Sequence, residues 1–452
     1  MPGQEEITTL VSENLRDGNL EEIRKTLSGI HPSEIANIIQ NFDPEDHTRI
    51  LNVLDNETAS DVLFELDKEQ RDEILEELDN EKIADILDEM DSDDAADIIG
   101  ELPEDTAKTV LEKMDPEEAK EVEPLLIYPE DSAGGIMQTE LVKVQSDFTV
   151  RETINWIRLI AGDVEDFNGI YVTDEENKLL GFISLSTLIL ANPRSRAKNI
   201  MEPVEVKVTP YIDQEKVAKE FQKYDVVSLP VVDSSEKLIG RITADDILDV
   251  ITEEASEDMY QFAGVSGDQL HPLFSPTVIR IKERIPWLLL TLFGELLIAL
   301  IIVSSFQTTL QKFVILVAFM PAIMATGGNV GIQTTTIVIR SIAMGTISIK
   351  QISKVIISEI KVGLVLGIVC GLTAAIIGAL ISYNQPEVIK LSLSVFIAMV
   401  SATLATSFIG VAAPLMLFKF NFDPAASSGP FLTMFNDIFG SVFYLFIAML
   451  IF

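Results

Sequence analysis

The chain has little of what most enzyme chemistry is built on. A single cysteine, Cys370, stands among 452 residues, which excludes an intrachain disulfide and a cysteine-based metal site. The three histidines, His31, His47 and His271, are scattered and read as ordinary surface or capping residues. There is no phosphate-cradling glycine loop, histidine–cysteine cluster or nucleophile elbow, so the chain is not read as an enzyme. Basic charge is scarce too: 33 Lys+Arg against 71 Asp+Glu leave a net charge of −38. An acidic surface of that size repels nucleic acid and gathers cations. The opening Met1-Pro-Gly-Gln-Glu-Glu6 has no basic stretch leading into an apolar core, and no cleaved signal peptide is expected.

The deficit is uneven. The first 275 residues hold 65 of the acidic and 23 of the basic side chains, a net −42, while residues 276–452 carry +4. An acidic soluble part therefore precedes a membrane part.

What is present begins with a repeat. An apolar residue followed by a turn or cap residue recurs every 12 positions, as Phe42-Asp43, Leu54-Asp55, Leu66-Asp67, Leu78-Asp79, Met90-Asp91, Leu102-Pro103 and Met114-Asp115. Apolar residues at helical spacing lie between these marks. A fixed period with one short helix per unit predicts a helical solenoid over roughly residues 20–123, inside an acidic N domain of residues 1–130. Leu10, Leu15, Leu20, Ile23 and Leu27 are the expected core contacts at its start. Most of its acids are read as helix caps and solvated surface. Asp91, Asp93 and Asp94 crowd one turn, where a second acidic surface would require a counter-ion.

Residues 131–255 alternate β-type and helical runs. Strands are predicted at Val142–Val144, Gly169–Val172, Leu179–Ser184, Val204–Val208, Ser228–Val232 and Leu238–Thr243, with helices at Val150–Ile160, Gln214–Tyr224 and Ala244–Ile251. Ile170-Tyr-Val-Thr-Asp174 followed by Lys178-Leu-Leu-Gly-Phe-Ile-Ser184 aligns with Leu229-Pro-Val-Val-Asp233 followed by Lys237-Leu-Ile-Gly-Arg-Ile-Thr243. This duplication resembles a tandem cystathionine-β-synthase (CBS) pair. That resemblance implies a nucleotide contact, ATP for example, through Thr243 and Asp246 of Gly240-Arg-Ile-Thr-Ala-Asp-Asp246; the first copy lacks the Asp. Asp246, Asp249, Glu253 and Glu257 share one helix face. That face is either simply solvated or binds divalent cations through its oxygens. The helix is expected to run on as a connector over residues 256–283, breaking near Gly264–Gly267.

Five apolar stretches follow, at Ile285–Ser305, Phe313–Arg340, Ile352–Ile381, Leu391–Phe418 and Pro430–Phe452, each long enough to cross about 30 Å of hydrocarbon. They place residues 284–452 in membrane lipid. Basic residues flank one side, at Arg280, Lys282, Arg284, Arg340, Lys350, Lys354 and Lys419, so the N-terminal half is expected in the cytoplasm and the C-terminus outside. The fold class is therefore multidomain: an all-α helical superhelix, an α/β tandem CBS pair and a five-helix all-α transmembrane domain.

Within the spans, Met320-Pro-Ala-Ile-Met-Ala-Thr-Gly-Gly-Asn-Val-Gly-Ile-Gln333 is too polar to face lipid. Two readings fit: a close helix–helix contact made by small residues, or a pore wall in which glycines open space and Asn329 offers its carbonyl oxygen to a cation. Ionisable residues inside a span mark function by default. Asp437 is alone in the last span, and Glu295 in the first is the secondary pore candidate.

The whole chain, in this order, resembles the MgtE family of magnesium channels and transporters. The specific marks are Tyr128-Pro-Glu-Asp-Ser-Ala-Gly134, the run from Pro321 through Gly327-Gly-Asn-Val-Gly-Ile-Gln333, and Asp437. The resemblance implies a homodimer with one pore on its two-fold axis, through which Mg2+ enters the cytoplasm down its electrochemical gradient. It implies pore contacts from Asp437 and Asn329, and ions at the cytoplasmic mouth near Asp423 and Glu257. It also implies regulatory Mg2+ on Asp91, Asp225, Asp246, Asp249, Glu254 and Asp258, closing the pore when cytosolic Mg2+ is high. A broader transporter of divalent cations such as Co2+ or Mn2+ is the alternative.

Overall fold

The computed structural model describes residues 4–160, 167–265, 277–344, 352–420, 422–426 and 429–452, and it falls into two compact units that divide at Glu253/Glu254.

In the first unit, α1 (Gln4–Asp17) precedes a helical array whose starts keep strict time. The helices are α2 (Leu20–Leu27), α3 (Pro32–Ile39), α4 (Pro44–Leu51), α5 (Asn56–Phe64), α6 (Lys68–Glu77), α7 (Asn80–Leu87), α8 (Ser92–Glu101), α9 (Glu104–Leu111) and α10 (Pro116–Val122). Each begins 12 residues after the last. The caps explain the period. Asp55 accepts from the Thr58 amide, Asp79 from Glu81 and Lys82, and Asp115 from Glu117, so orphan N–H groups are satisfied at the start of these three helices. Helices pack against their second neighbours, α3–α5–α7–α9 in one layer and α4–α6 and α8–α10 in the other. At the entrance Leu15, Ile23 and Leu27 are buried with Ile7 and Val11, but Leu10 and Leu20 are exposed. The stripe of α1 starts at Ile7 and turns Leu10 outward.

The α/β part follows. Strand β1 (Lys143–Gln145) pairs parallel with β2 (Gly169–Thr173), and β2 pairs antiparallel with β3 (Leu179–Ser184). Helix α11 (Val150–Leu159) connects β1 to β2, and α12 (Leu185–Leu190) and α13 (Ala197–Ile200) close this half. In the second half α14 (Gln214–Tyr224) leads to the antiparallel pair β4 (Ser228–Val232) and β5 (Leu238–Thr243), then α15 (Ala244–Ala263). The expected strand at Val204–Val208 is absent; only Val208 bridges Val231. Pro203 and the Pro210 turn leave the segment too short for a ladder. The duplication is explicit at the hairpin turns. Asp174 and Asp233 accept from the amides of Glu176 and Lys178, and of Ser235 and Lys237. The Leu179 amide donates to the Glu236 carbonyl, and Leu238 to Asn177, so the two halves meet through equivalent atoms.

In the second unit, the first span runs from α16 (Thr277–Ile301) through a π-turn at Ile302–Phe306 into α17 (Gln307–Lys312). A short 3-10 turn leads to α18 (Met320–Ala343), followed by α19 (Ile352–Ile381), α20 (Val388–Lys419) and α21 (Gly429–Ile451). Among the described residues, five segments are long and apolar enough to cross a membrane. α20 packs against α18, α19 and α21, and α16 packs on α21. The glycines of α18 make the close contact, one of the two readings open in the sequence. Gly327 faces Asn436 and Ala402, and Gly331 faces Leu432 and Thr406. Their role here is packing, while Asn329 lies on the exposed face of α18. α15 ends at Ala263, with Gly264 at φ +75°. Of the expected connector over residues 256–283, residues 266–276 lie outside the described residues.

Candidate functional site

Two groups of acids stand out, one in each unit. The first gathers at the start of α8. Asp91 does not cap its own helix; its Oδ2 accepts from Gln138 Nε2 at 3.1 Å. The cap comes from outside the repeat, as Glu140 accepts from the Ser92 amide at 3.0 Å and from Ser92 Oγ at 2.8 Å. Asp93 is 4% exposed and its Oδ1 has no hydrogen-bond partner. Burial pushes its carboxyl well above the usual carboxylate range, reinforced by Asp94, Asp246, Asp91 and Glu140. Burial likewise pushes Glu140 up to about 7 against the hydrogen bonds from Ser92. Asp246 is pushed up to about 6 by burial, although the Thr243 hydroxyl (2.6 Å) and amide (2.9 Å) donate to it.

Burial and mutual repulsion thus act together on Asp93 and Asp94 of α8, Asp246 of α15 and Glu140 before β1, with Asp91 among the repelling groups. The guanidinium of buried Arg241 reaches this group only through Gln138, to which it donates at 3.2 Å, and hard divalent cations bind oxygen. The unpartnered, buried Asp93 oxygen fits that demand. Asp249 lies on the outer face of α15, and partial desolvation of its carboxyl, then Glu65 of the helical array and Asp245, raise it. Asp225 is exposed, at φ +52° at the end of α14. Asp91 is close enough to Asp246 to help raise its carboxyl; Glu140 was missed, since nothing in its local sequence marks it as a cap for α8.

The second group is in the membrane bundle. Asp437 is half-buried on α21, with the Glu295 carboxyl of α16 within hydrogen-bonding reach. Its Oδ1 accepts from Asn436 Nδ2 at 3.0 Å. Two carboxylates so close need a proton or a cation between them. Glu257 accepts from Gln261 at 2.5 Å, and Glu254 and Asp258 are half-buried on the same helix. Asp423 is exposed and accepts from the Ala425 amide at 2.8 Å. Among the described residues no three metal-ligating side chains converge into a cage. A pair of carboxylates suits a cation that keeps most of its water. His47, expected at the surface, is 3% exposed, with Nε2 against the Phe42 carbonyl at 3.0 Å; it closes the turn before α4. His31 caps α3 as expected, and His271 lies outside the described residues.

Acid-lined helical repeats, a CBS pair and five apolar helices with intramembrane carboxylates define the class of multi-pass membrane proteins with acidic soluble domains. Family models match the chain in that order: the MgtE intracellular N domain over residues 30–131, CBS domains over 133–193 and 197–253, and the MgtE divalent cation transporter over 320–447. The chain is 34% identical over 331 residues to the magnesium transporter MgtE of Thermus thermophilus, covering 73% of this chain and 72% of that one. It is 32% identical over 329 residues to the MgtE of Bacillus subtilis, covering 73% and 71%. A crystal structure of the soluble part of a magnesium transporter superposes with TM-score 0.51 at 32% identity, over 56% of this chain and all of the other. The cytosolic domain of the Mg2+ channel MgtE in complex with ATP does so at 37% identity with TM-score 0.51, over 54% and 99%. The chain belongs to the MgtE family.

Proposed function

We propose that this protein carries Mg2+ across the membrane into the cytoplasm, down its electrochemical gradient, and that cytosolic Mg2+ closes the path. The observation that carries the reading is Asp437, a carboxylate inside the last span with Glu295 beside it, in a chain of the MgtE family. Mg2+ parts with its water reluctantly, so one or two carboxylates contacting a hydrated ion suit it better than a dry cage. A homodimer with its axis along α18 and α21 would bring two Asp437 side chains and two Asn329 side chains to one pore. The basic flanks of the spans support a cytoplasmic N-terminus and an outward C-terminus.

The gate follows from the acids at α8. At high cytosolic Mg2+, ions between Asp91, Asp93, Asp94, Glu140 and Asp246 hold the helical array on the CBS pair. At low Mg2+ the uncompensated carboxylates repel and the contact opens. Asp225 at the end of α14 and Asp249, Glu254 and Asp258 along α15 would add ions, with Glu257 and Asp423 at the mouth. Each ion favours the closed state modestly, and several couplings add.

Magnesium flux into liposomes, at low and high Mg2+ on the cytoplasmic side, tests both halves. Wild-type flux should fall at high cytoplasmic Mg2+, Asp437→Ala should abolish flux, and Asp91→Asn should keep flux but need more Mg2+ to close. Normal conduction by Asp437→Ala would sink the pore assignment, and flux indifferent to cytoplasmic Mg2+ would remove the gate. Running the same assay with Mn2+, Co2+ and Ca2+ separates a magnesium-selective path from a broader one. Nucleotide tuning is a second reading, supported by the ATP-bound relative and by Thr243 and Asp246 in the matching segment; a change in the Mg2+ midpoint on adding ATP tests it.

A further inference from the structure

Next to Asp437 lies a second polar side chain. Asn436 is 1% exposed in the middle of α21, deep in the bundle. Its Nδ2 donates to the Met324 carbonyl of α18 at 2.7 Å and to Asp437 Oδ1 at 3.0 Å. Both partners are acceptors, so chemistry fixes which end of the amide points where. Both N–H groups are thereby spent, one on the backbone of α18 and one on the carboxylate. The amide oxygen has no partner and occupies the notch at Gly327, where an added Cβ would collide with it. An amide buried in hydrocarbon with half its capacity unmet is costly. A residue needed only to fill the α18–α21 contact would be better served by leucine.

We propose that Asn436 is a positioning residue of the pore, fixing one oxygen of Asp437 to α18 through the Met324 carbonyl and leaving the other oxygen to the hydrated cation. This rests on the reading of Asp437 as the pore site. The bridge is short and anchored to backbone, so it removes rotamer freedom from Asp437 before an ion arrives. Preorganised ligands bind more tightly and discriminate better, because no ordering cost is left to the binding event. Gly327 is part of the same device: the notch admits the amide oxygen and so lets the Nδ2 reach both acceptors.

The test is flux into liposomes at low cytoplasmic Mg2+, measuring half-saturation, maximal flux and the Mg2+/Ca2+ ratio for Asn436→Leu, Asn436→Ser and Gly327→Ala, with Asp437→Ala alongside. Loss of one hydrogen bond to a charged group should raise half-saturation for Mg2+ about tenfold and lower the Mg2+/Ca2+ ratio, in Asn436→Leu and in Gly327→Ala alike. A purely structural role would lower only maximal flux, through fewer folded molecules, with half-saturation and ratio at their wild-type values, and that result overturns the proposal. Asn436→Ser keeps a small polar group and serves if the leucine variant fails to fold; wild-type half-saturation and ratio in it and in Gly327→Ala also overturn the proposal. If Asp437→Ala conducts normally, the pore reading itself has failed. If Asp437→Ala is dead while the Asn436 variants keep wild-type half-saturation and ratio, only the positioning role falls.

Discussion

At the scale of single residues, identity and spacing pointed to the acids but not to their partners. Asp91 and Asp246 were legible from charge density and family resemblance. Glu140 and Asn436 were not, since each acts on a residue distant in the chain or in another helix: Glu140 caps α8 from 48 positions away, and Asn436 reaches Met324 across 112. The raised carboxyls of Asp93, Asp94, Asp246 and Glu140 have a consequence for stability. A carboxyl whose folded pKa lies above its unfolded value binds more protons folded than unfolded, so stability falls as pH rises between the two. For Asp246 and Glu140 that window runs from about pH 4 to about 6 and 7. Without divalent cations the unfolding midpoint of the full-length protein should therefore be higher at pH 5.5 than at 7.5, and Mg2+ should raise it most at 7.5. Differential scanning fluorimetry in detergent with chelator checks this; a midpoint higher at pH 7.5 in chelator would refute the counter-ion argument.

At the scale of elements, periodicity was the reliable guide. The 12-residue marks located α4 to α10, because each mark sits at the turn between two helices, and at Asp55, Asp79 and Asp115 it also supplies the cap. The strand expected at Val204–Val208 failed because its apolar residues alternate correctly but prolines on either side deny it a partner ladder. The duplicated hairpins offer a test at this scale. Asn177 and Glu236 occupy equivalent turn positions at φ +66° and +67°. Asparagine tolerates that region, and Asn177 also donates to the Leu238 carbonyl at 3.0 Å; glutamate pays strain there. Glu236→Gly should stabilise the CBS pair by roughly 0.5–1 kcal/mol, with its exposed pair to Lys207 contributing little. Asn177→Gly should destabilise it. Denaturant midpoints of the two variants decide, and equal shifts of the same sign would contradict the assignment.

At the scale of the whole molecule, the division into a soluble and a membrane part was readable from composition alone, since a net charge of −42 followed by +4 cannot describe one solvent environment. What composition could not supply was which acids meet, for that depends on how the array docks on the CBS pair. The two-layer packing makes the array testable as an assembly. Removing residues 32–55 deletes α3 and α4 together, one helix from each layer, and lets α5 take the place of α3 against α1. That variant should fold and should still be closed by cytoplasmic Mg2+ in the liposome assay. Removing 12 residues, such as 56–67, exchanges the layers of everything before the cut and should abolish folded protein.

The uniform stride from residue 20 to residue 116 also sets how the chain can change length over evolutionary time. Upstream of α8, whole 24-residue blocks can be gained or lost with Asp91 still presented at the same face. Downstream, between Asp91 and Glu140, any slip moves the acid turn off its seat. The N domain is therefore open-ended on one side of Asp91 and counted to the residue on the other.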